Sequence, residues 1–114
     1  MRILNTTRST ELASDAKPAR SFTQRLVGLL GRAGLGPGEA LLLEPCSSVH
    51  TAFMRFAIDV VYVDRTGKVV KVVPELRPFR ASGVLRGARS VIELPSGTIA
   101  ATGTVPGDEL TFES

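Results

Sequence analysis

Apolar and polar positions follow different rules in different parts of this chain, and each change of rule marks an element. Ile58 to Val63 is the most strand-like stretch, apolar and rich in β-branched side chains. Asp64-Arg65-Thr66-Gly67 follows, and then a second β-branched run from Lys68 to Val73. Asp at the first turn position and Gly at the fourth fit a hairpin built on a type I turn. Lys68 and Lys71 point to opposite faces of the second run, which predicts a wetter side or a position towards a sheet edge. Ala40-Leu41-Leu42-Leu43 is short and continuously apolar, as suits a strand buried on both faces, and Pro45 ends it. Ser90-Val91-Ile92-Glu93-Leu94 reads as another short strand, stopped by Pro95-Ser96-Gly97. Val105-Pro106-Gly107-Asp108 is a turn, and Glu109-Leu110-Thr111-Phe112 alternates as a closing strand.

A helical period appears once. Ser21-Phe22-Thr23-Gln24 fits a capping box, Phe22, Leu26, Leu29 and Leu30 recur on one face, and Gly31 suits the left-handed position past the end. The spacing predicts a helix from Phe22 to Leu30 laying one apolar stripe on a sheet. Ile3 and Leu4 open a short strand, after which the pattern lapses from Thr6 to Ala19. Thr98 to Thr102 fits either one helical turn capped by Gly103 or a strand. Gly31 to Gly38 is a connector and not a phosphate loop, since no strand precedes it and no Lys-Ser/Thr follows. Pro74 and Pro78 break the pattern into an irregular connection from Glu75 to Ala88. Five or six short strands, one helix and no βαβ alternation give a mainly β (α+β) class. The expected architecture is a small antiparallel sheet, or a barrel-like half-barrel, with one peripheral helix.

Composition narrows the picture. The 114 residues make a single domain, 1–114, and 43% hydrophobic content suits a globular protein. With no Trp and one Tyr, the core falls to Leu, Val, Ile and Phe. The net charge of +3 rests mostly on Arg, which favours a carboxylate- or phosphate-bearing partner. The basic residues are scattered, with only Arg77, Arg80, Arg86 and Arg89 loosely clustered, so nucleic acid is disfavoured. A single Cys makes no internal disulfide, and no apolar run approaches the roughly 20 residues that span a bilayer. A cytoplasmic protein is expected, although an exported domain with its leader removed fits the same facts.

The candidate chemistry gathers between Pro45 and Asp59, which holds the only Cys and the only His. Three readings compete. Cys46 as thiolate with His50 as base would make a hydrolase or transferase. Cys46, His50 and Met54 would make a soft metal site, whereas a structural zinc site wants more ligands than one Cys and one His supply. A polar pocket in which His50, Thr51, Arg55 and Asp59 hydrogen-bond a small ligand is favoured over both. Asp59 sits among apolar neighbours, so its carboxylate should bond backbone N–H groups or pair with an arginine such as Arg77 or Arg80. Glu93 poses the same question.

Cys46-x-x-x-His50-Thr51-x-Phe53-Met54-Arg55-Phe56-x-Ile58-Asp59-Val60-Val61, followed by Gly67-x-Val69-Val70, resembles the signature of domain of unknown function 192. Arg25-Leu26-x-Gly28-Leu29-Leu30, Val91-Ile92-Glu93-Leu94-Pro95-x-Gly97 and Gly107-Asp108-x-Leu110 extend the resemblance over nearly the whole chain. It implies a compact, mainly β domain with a peripheral helix, in a bacterial and archaeal family without an assigned activity. The family usually has Pro where this chain has Ala57, which implies a break before the strand. The signature positions fall on His50, Thr51, Met54, Arg55 and Asp59. With Arg80 from the arginine-rich wall, these are the expected ligand-binding residues. The expected function is binding of a small, anionic ligand or of a partner at the Cys46–Asp59 loop. Ligand, cofactor, partner and oligomeric state stay unknown at this level.

Overall fold

The computed structural model describes residues 1–19, 35–44, 49–50, 56–77, 81–82 and 85–114, with the backbone alone at 19, 49–50 and 81–82. Its elements in chain order are β1 (Arg2–Asn5), β2 (Thr10–Ala13), β3 (Asp15–Ala19), β4 (Glu39–Leu43), β5 (Val49–His50), β6 (Ile58–Val63), β7 (Val69–Leu76), β8 (Ala81–Ser82), β9 (Ser90–Pro95), α1 (Thr98–Thr102) and β10 (Leu110–Glu113). The helix expected at Phe22 to Leu30 lies outside the described residues.

The strongest apolar run takes the most protected place. A five-stranded sheet has the order β3-β4-β9-β6-β7, and all six residues of β6 are buried between β9 and β7. The Ile58–Val63 hairpin forms as its sequence requires. The Asp64 carbonyl accepts from Gly67 N at 3.1 Å, while the Asp64 carboxylate accepts from Thr66 N, Thr66 Oγ1 and Lys68 N at 2.8, 2.6 and 3.0 Å. These bonds to the ionised form outweigh the slight burial and hold the Asp64 carboxyl below its ordinary value, the Thr66 hydroxyl contributing most. β7 lies at the sheet edge, and Pro74 falls in the stretch between Val73 and Leu76 where its register with β6 shifts, places where a proline is tolerated in a sheet. The expected irregular connection after it therefore begins later, at Arg77.

A second, three-stranded sheet has the order β10-β1-β2 and is antiparallel throughout. The chain passes from it to the larger sheet at Ser14, where the Gly38 carbonyl accepts from both Ser14 N and Asp15 N at 3.0 and 2.9 Å. A Cβ at Gly38 would collide with the Ser14 hydroxyl, and its φ of +79° suits glycine alone. At the opposite corner Leu110 N donates to Gly67 O, Val69 N to Asp108 O and Gly107 N to Val69 O, each at 2.8 Å. Two corners thus join the sheets without closing one continuous barrel ladder, and the half-barrel expectation holds in that form.

Between the sheets lies the main core, built from Ile3, Leu12, Ala16, Leu42, Val61, Val63, Ile92, Leu94, Ile99 and Leu110 with smaller neighbours. The outer face of the larger sheet carries a second cluster of Leu41, Leu43, Ile58, Val60, Tyr62 and Val91. Fully burying one such Val, Leu or Ile is worth about 1.5–3 kcal/mol, so a sheet buried on both faces dominates the stability. Strands β2 and β3 occupy the stretch where the periodicity lapses. Among the described residues only β3 and its neighbour β4 run parallel. No helix among the described residues is long and apolar enough to cross a membrane.

Candidate functional site

Asp59 is fully buried, and its partner Leu94 and neighbour Val61 put it on the core face of the large sheet. Its two oxygens are spent on backbone. Oδ1 accepts from Glu75 N at 2.9 Å and Oδ2 from Ile99 N at 2.7 Å. Glu75 has φ of +53°, and the register shifts between Ile58 and Val60, so β7 bulges here by one residue. The carboxylate holds that bulge open at one end and caps the start of α1 at the other. Gly97, the N-cap residue of α1, offers no side-chain acceptor, which leaves the role to Asp59 from 40 residues away. Of the two outcomes expected for a buried Asp59, the backbone N–H bonds are the one observed.

Beside Asp59 the chain does what the family's proline would enforce. β6 starts at Ile58, and Ala57 lies outside any strand. On the loop side, Val49 pairs with Ser82 and His50 with Ala81 in an antiparallel ribbon. The ribbon ties the 45–59 loop to the connection after β7, the segment expected to wall it. Phe56 at the loop's exit, Leu76 before β8 and Leu85 after it all pack on the outer cluster of the large sheet. Phe56, Leu76 and Leu85 thus share one floor, and Asp59 faces away from it. The positions of Cys46, Thr51, Met54, Arg55 and Arg80 lie outside the described residues, and of His50 only the backbone is described. Among the described residues no three His, Cys, Asp or Glu side chains gather as metal ligands.

Glu93 is the acidic residue on that floor. It is fully buried, and its ladder partners Val60 and Leu41 both belong to the outer cluster. It does not stand there as an isolated charge. Tyr62, also fully buried, shares the face, with Lys71 Nζ 5.7 Å from its ring centroid.

A second buried polar group escaped the sequence reading. Asp108 Oδ2 accepts from Asn5 Nδ2 at 2.9 Å, Arg8 Nε at 2.6 Å and Val105 N at 3.1 Å. Asn5 Nδ2 also reaches Thr104 Oγ1 at 3.2 Å, and Asn5 Oδ1 accepts from Arg8 N at 3.2 Å. Burial acts to raise the Asp108 carboxyl, but the bonds from Arg8, Asn5 and Val105 together prevail and hold it below its ordinary value. The only local signal was Gly107-Asp108 in a turn, and the side-chain partners Asn5 and Arg8 lie about a hundred residues away. The cluster fastens β1 to the turn before β10 and reads as a structural lock.

Comparison with known proteins agrees with this architecture. The family model of domain of unknown function 192, described as Uncharacterized ACR, matches residues 3–112. A UPF0127 protein of Pyrococcus furiosus is 34% identical over 114 residues, covering 95% of each chain. A UPF0127 protein of Pyrococcus abyssi is 33% identical over 101 residues, covering 83% of each. A crystal structure of a protein of unknown function from Novosphingobium aromaticivorans superposes with a TM-score of 0.79 at 19% identity, covering 97% of this chain and 82% of that one. At that identity the likeness speaks for the fold alone. With its model matched over residues 3–112, across both sheets, the chain belongs to the domain of unknown function 192 family.

Proposed function

We propose that this domain binds a small anionic ligand at the Cys46–Asp59 loop, against the wall that runs from Pro74 to Arg89. The observation that carries the proposal is the β5–β8 ribbon, which fastens His50 to the wall at Ala81 over a floor shared by Phe56, Leu76 and Leu85. Arg55 and Arg80 supply planar donor forks suited to carboxylate or phosphate. His50 and Thr51 add hydrogen bonds, and Met54 adds an apolar contact. Asp59 acts as a positioning residue: by holding the Glu75 bulge it sets where the wall leaves the sheet.

The test is an NMR titration of the 15N-labelled domain with succinate, citrate and inorganic phosphate. At least one probe should give saturable shifts at His50, Thr51, Arg55 and Ala81. Those shifts should weaken at least tenfold in Arg55→Gln and Arg80→Gln. No saturable shift at these positions with any of the three, or undiminished binding in both variants, overturns the proposal.

A further inference from the structure

Two tight turns stand side by side at the far end of β6 from Asp59. In the first, the Asp64 carbonyl accepts from Gly67 N and the Asp64 carboxylate from Thr66 and Lys68, so the tip carrying Arg65 is rigid. In the second, Ala88 N donates to Leu85 O at 3.2 Å, with Gly87 at φ +86°, and Arg89 N donates to Val63 O at 2.8 Å. The second turn is thereby fixed to the end of β6. Between them lies a cleft of about 370 Å³ lined by Asp64, Arg65, Thr66, Gly87, Ala88 and Arg89. Open space surrounds Gly87 where a side chain would project.

The charges in the cleft are unevenly spent. Asp64 already serves three donors of its own turn. Arg65 is exposed and makes no ion pair among the described residues. Arg89 meets Glu44 only at 3.6 Å, with both side chains about half exposed, and such a pair is worth little. Glu44 itself also accepts from the Ser90 hydroxyl at 3.1 Å. Two guanidinium groups with donor forks to spare therefore border a rigid cleft large enough for a small ligand, on a chain of net charge +3.

From this geometry we infer a second anion site, between the 64–67 and 85–88 turns, that takes a phosphate-bearing small molecule through Arg65 and Arg89. Phosphate suits it better than a monocarboxylate, because its three peripheral oxygens can face both forks at once. The inference does not depend on the loop site, and the readout separates the two. The 15N-labelled domain is titrated with pyrophosphate, and with sodium chloride as the control for plain ionic strength. Saturable shifts are expected at Arg65 (amide and side-chain Nε–H), Thr66, Gly87 and Arg89. The apparent affinity should fall about threefold or more in Arg65→Gln and at least tenfold in the Arg65→Gln, Arg89→Gln double variant. Both side chains are exposed, so the amide fingerprint elsewhere should be unchanged. Arg65→Lys with Arg89→Lys keeps the charge but loses the forks, and its binding should lie between the parent and the double Gln variant. Shifts that sodium chloride reproduces, a response confined to the 45–59 loop, or undiminished binding in the double Gln variant would each overturn the inference.

Discussion

Replacing Asp59 by Asn tests whether one carboxylate organises both the β7 bulge and the start of α1. The side chain is fully buried, and each oxygen takes a backbone N–H, from Glu75 at 2.9 Å and Ile99 at 2.7 Å. Hydrogen bonds to a charged acceptor contribute roughly 1.5–3 kcal/mol each, and a buried donor left unmade costs about 1–3 kcal/mol. Asn offers one acceptor oxygen and sets its NH2 against the other backbone N–H. The variant should therefore lose about 2–4 kcal/mol, well above the ~1 kcal/mol of an ordinary helix cap. Asp59→Ala forfeits both bonds and should lose about 3–5 kcal/mol. Equilibrium urea unfolding reads this directly. With a slope near 2 kcal/mol/M, typical of small domains, the Asn midpoint should fall by about 1–2 M, and the melting temperature by about 8–15 °C. The losses should appear without a change of slope. A midpoint shift below roughly 0.3 M for Asp59→Asn, with native-like hydrogen-exchange protection at Ile99 and Glu75, would refute the reasoning.

Other consequences are smaller in scope. Asp108 has its carboxyl held below the ordinary value of 3.8. The linked stability is thus complete above about pH 4–5 and is lost as pH falls further through the lowered native value. Asp108→Asn should be less stable than the parent at pH 7, and its stability should fall less steeply between pH 4 and pH 2, as measured by acid-dependent unfolding. Gly67→Ala would bring a Cβ to 2.8 Å from the Leu110 carbonyl at a φ of +93°. It should cost about 1–3 kcal/mol in urea unfolding, and an unchanged midpoint would mean that the second corner does not hold the sheets together.

The sequence carried its fold wherever large apolar residues were dense and punctuation was local. The hairpin from Ile58, the strand at Ala40–Leu43 and the strand at Ser90 were all legible for that reason. β2 and β3 were not. Ala13 and Ala16 turn inward, and a small alanine contributes little to an apolar period. β3 also carries Pro18, and it lies at the end of its sheet, where a missing donor is tolerated. At Thr98–Thr102 local propensity was evenly balanced, and a helix resulted because an acceptor 40 residues earlier in the chain takes the Ile99 N–H. The site followed the same division. That Asp59 must bond something buried was plain from its neighbours, but which face it took depended on strand register. The pairing of His50 with Ala81 joins two irregular segments that have no periodicity to read. The Asn5–Asp108 lock was invisible because its halves lie at opposite ends of the chain.

The pairing of β1 with β10 bears on how the domain is made. Arg2 lies in register with Glu113, and an ion pair of 3.2 Å joins their side chains. On the ribosome, β1 emerges more than a hundred residues before its partner β10, and until then one edge of β1 stays open to other chains. The large sheet has its β6–β7 hairpin and β9 by residue 95, but the smaller sheet cannot close over the core until residues 110–113 are free of the exit tunnel. So many non-local pairings place refolding in the millisecond-to-second range typical of such topologies. Ending synthesis just short of β10 would leave a core lacking Leu110 and the corner bond from Leu110 N to Gly67 O, a species suited to capture by chaperones or to aggregation rather than to function.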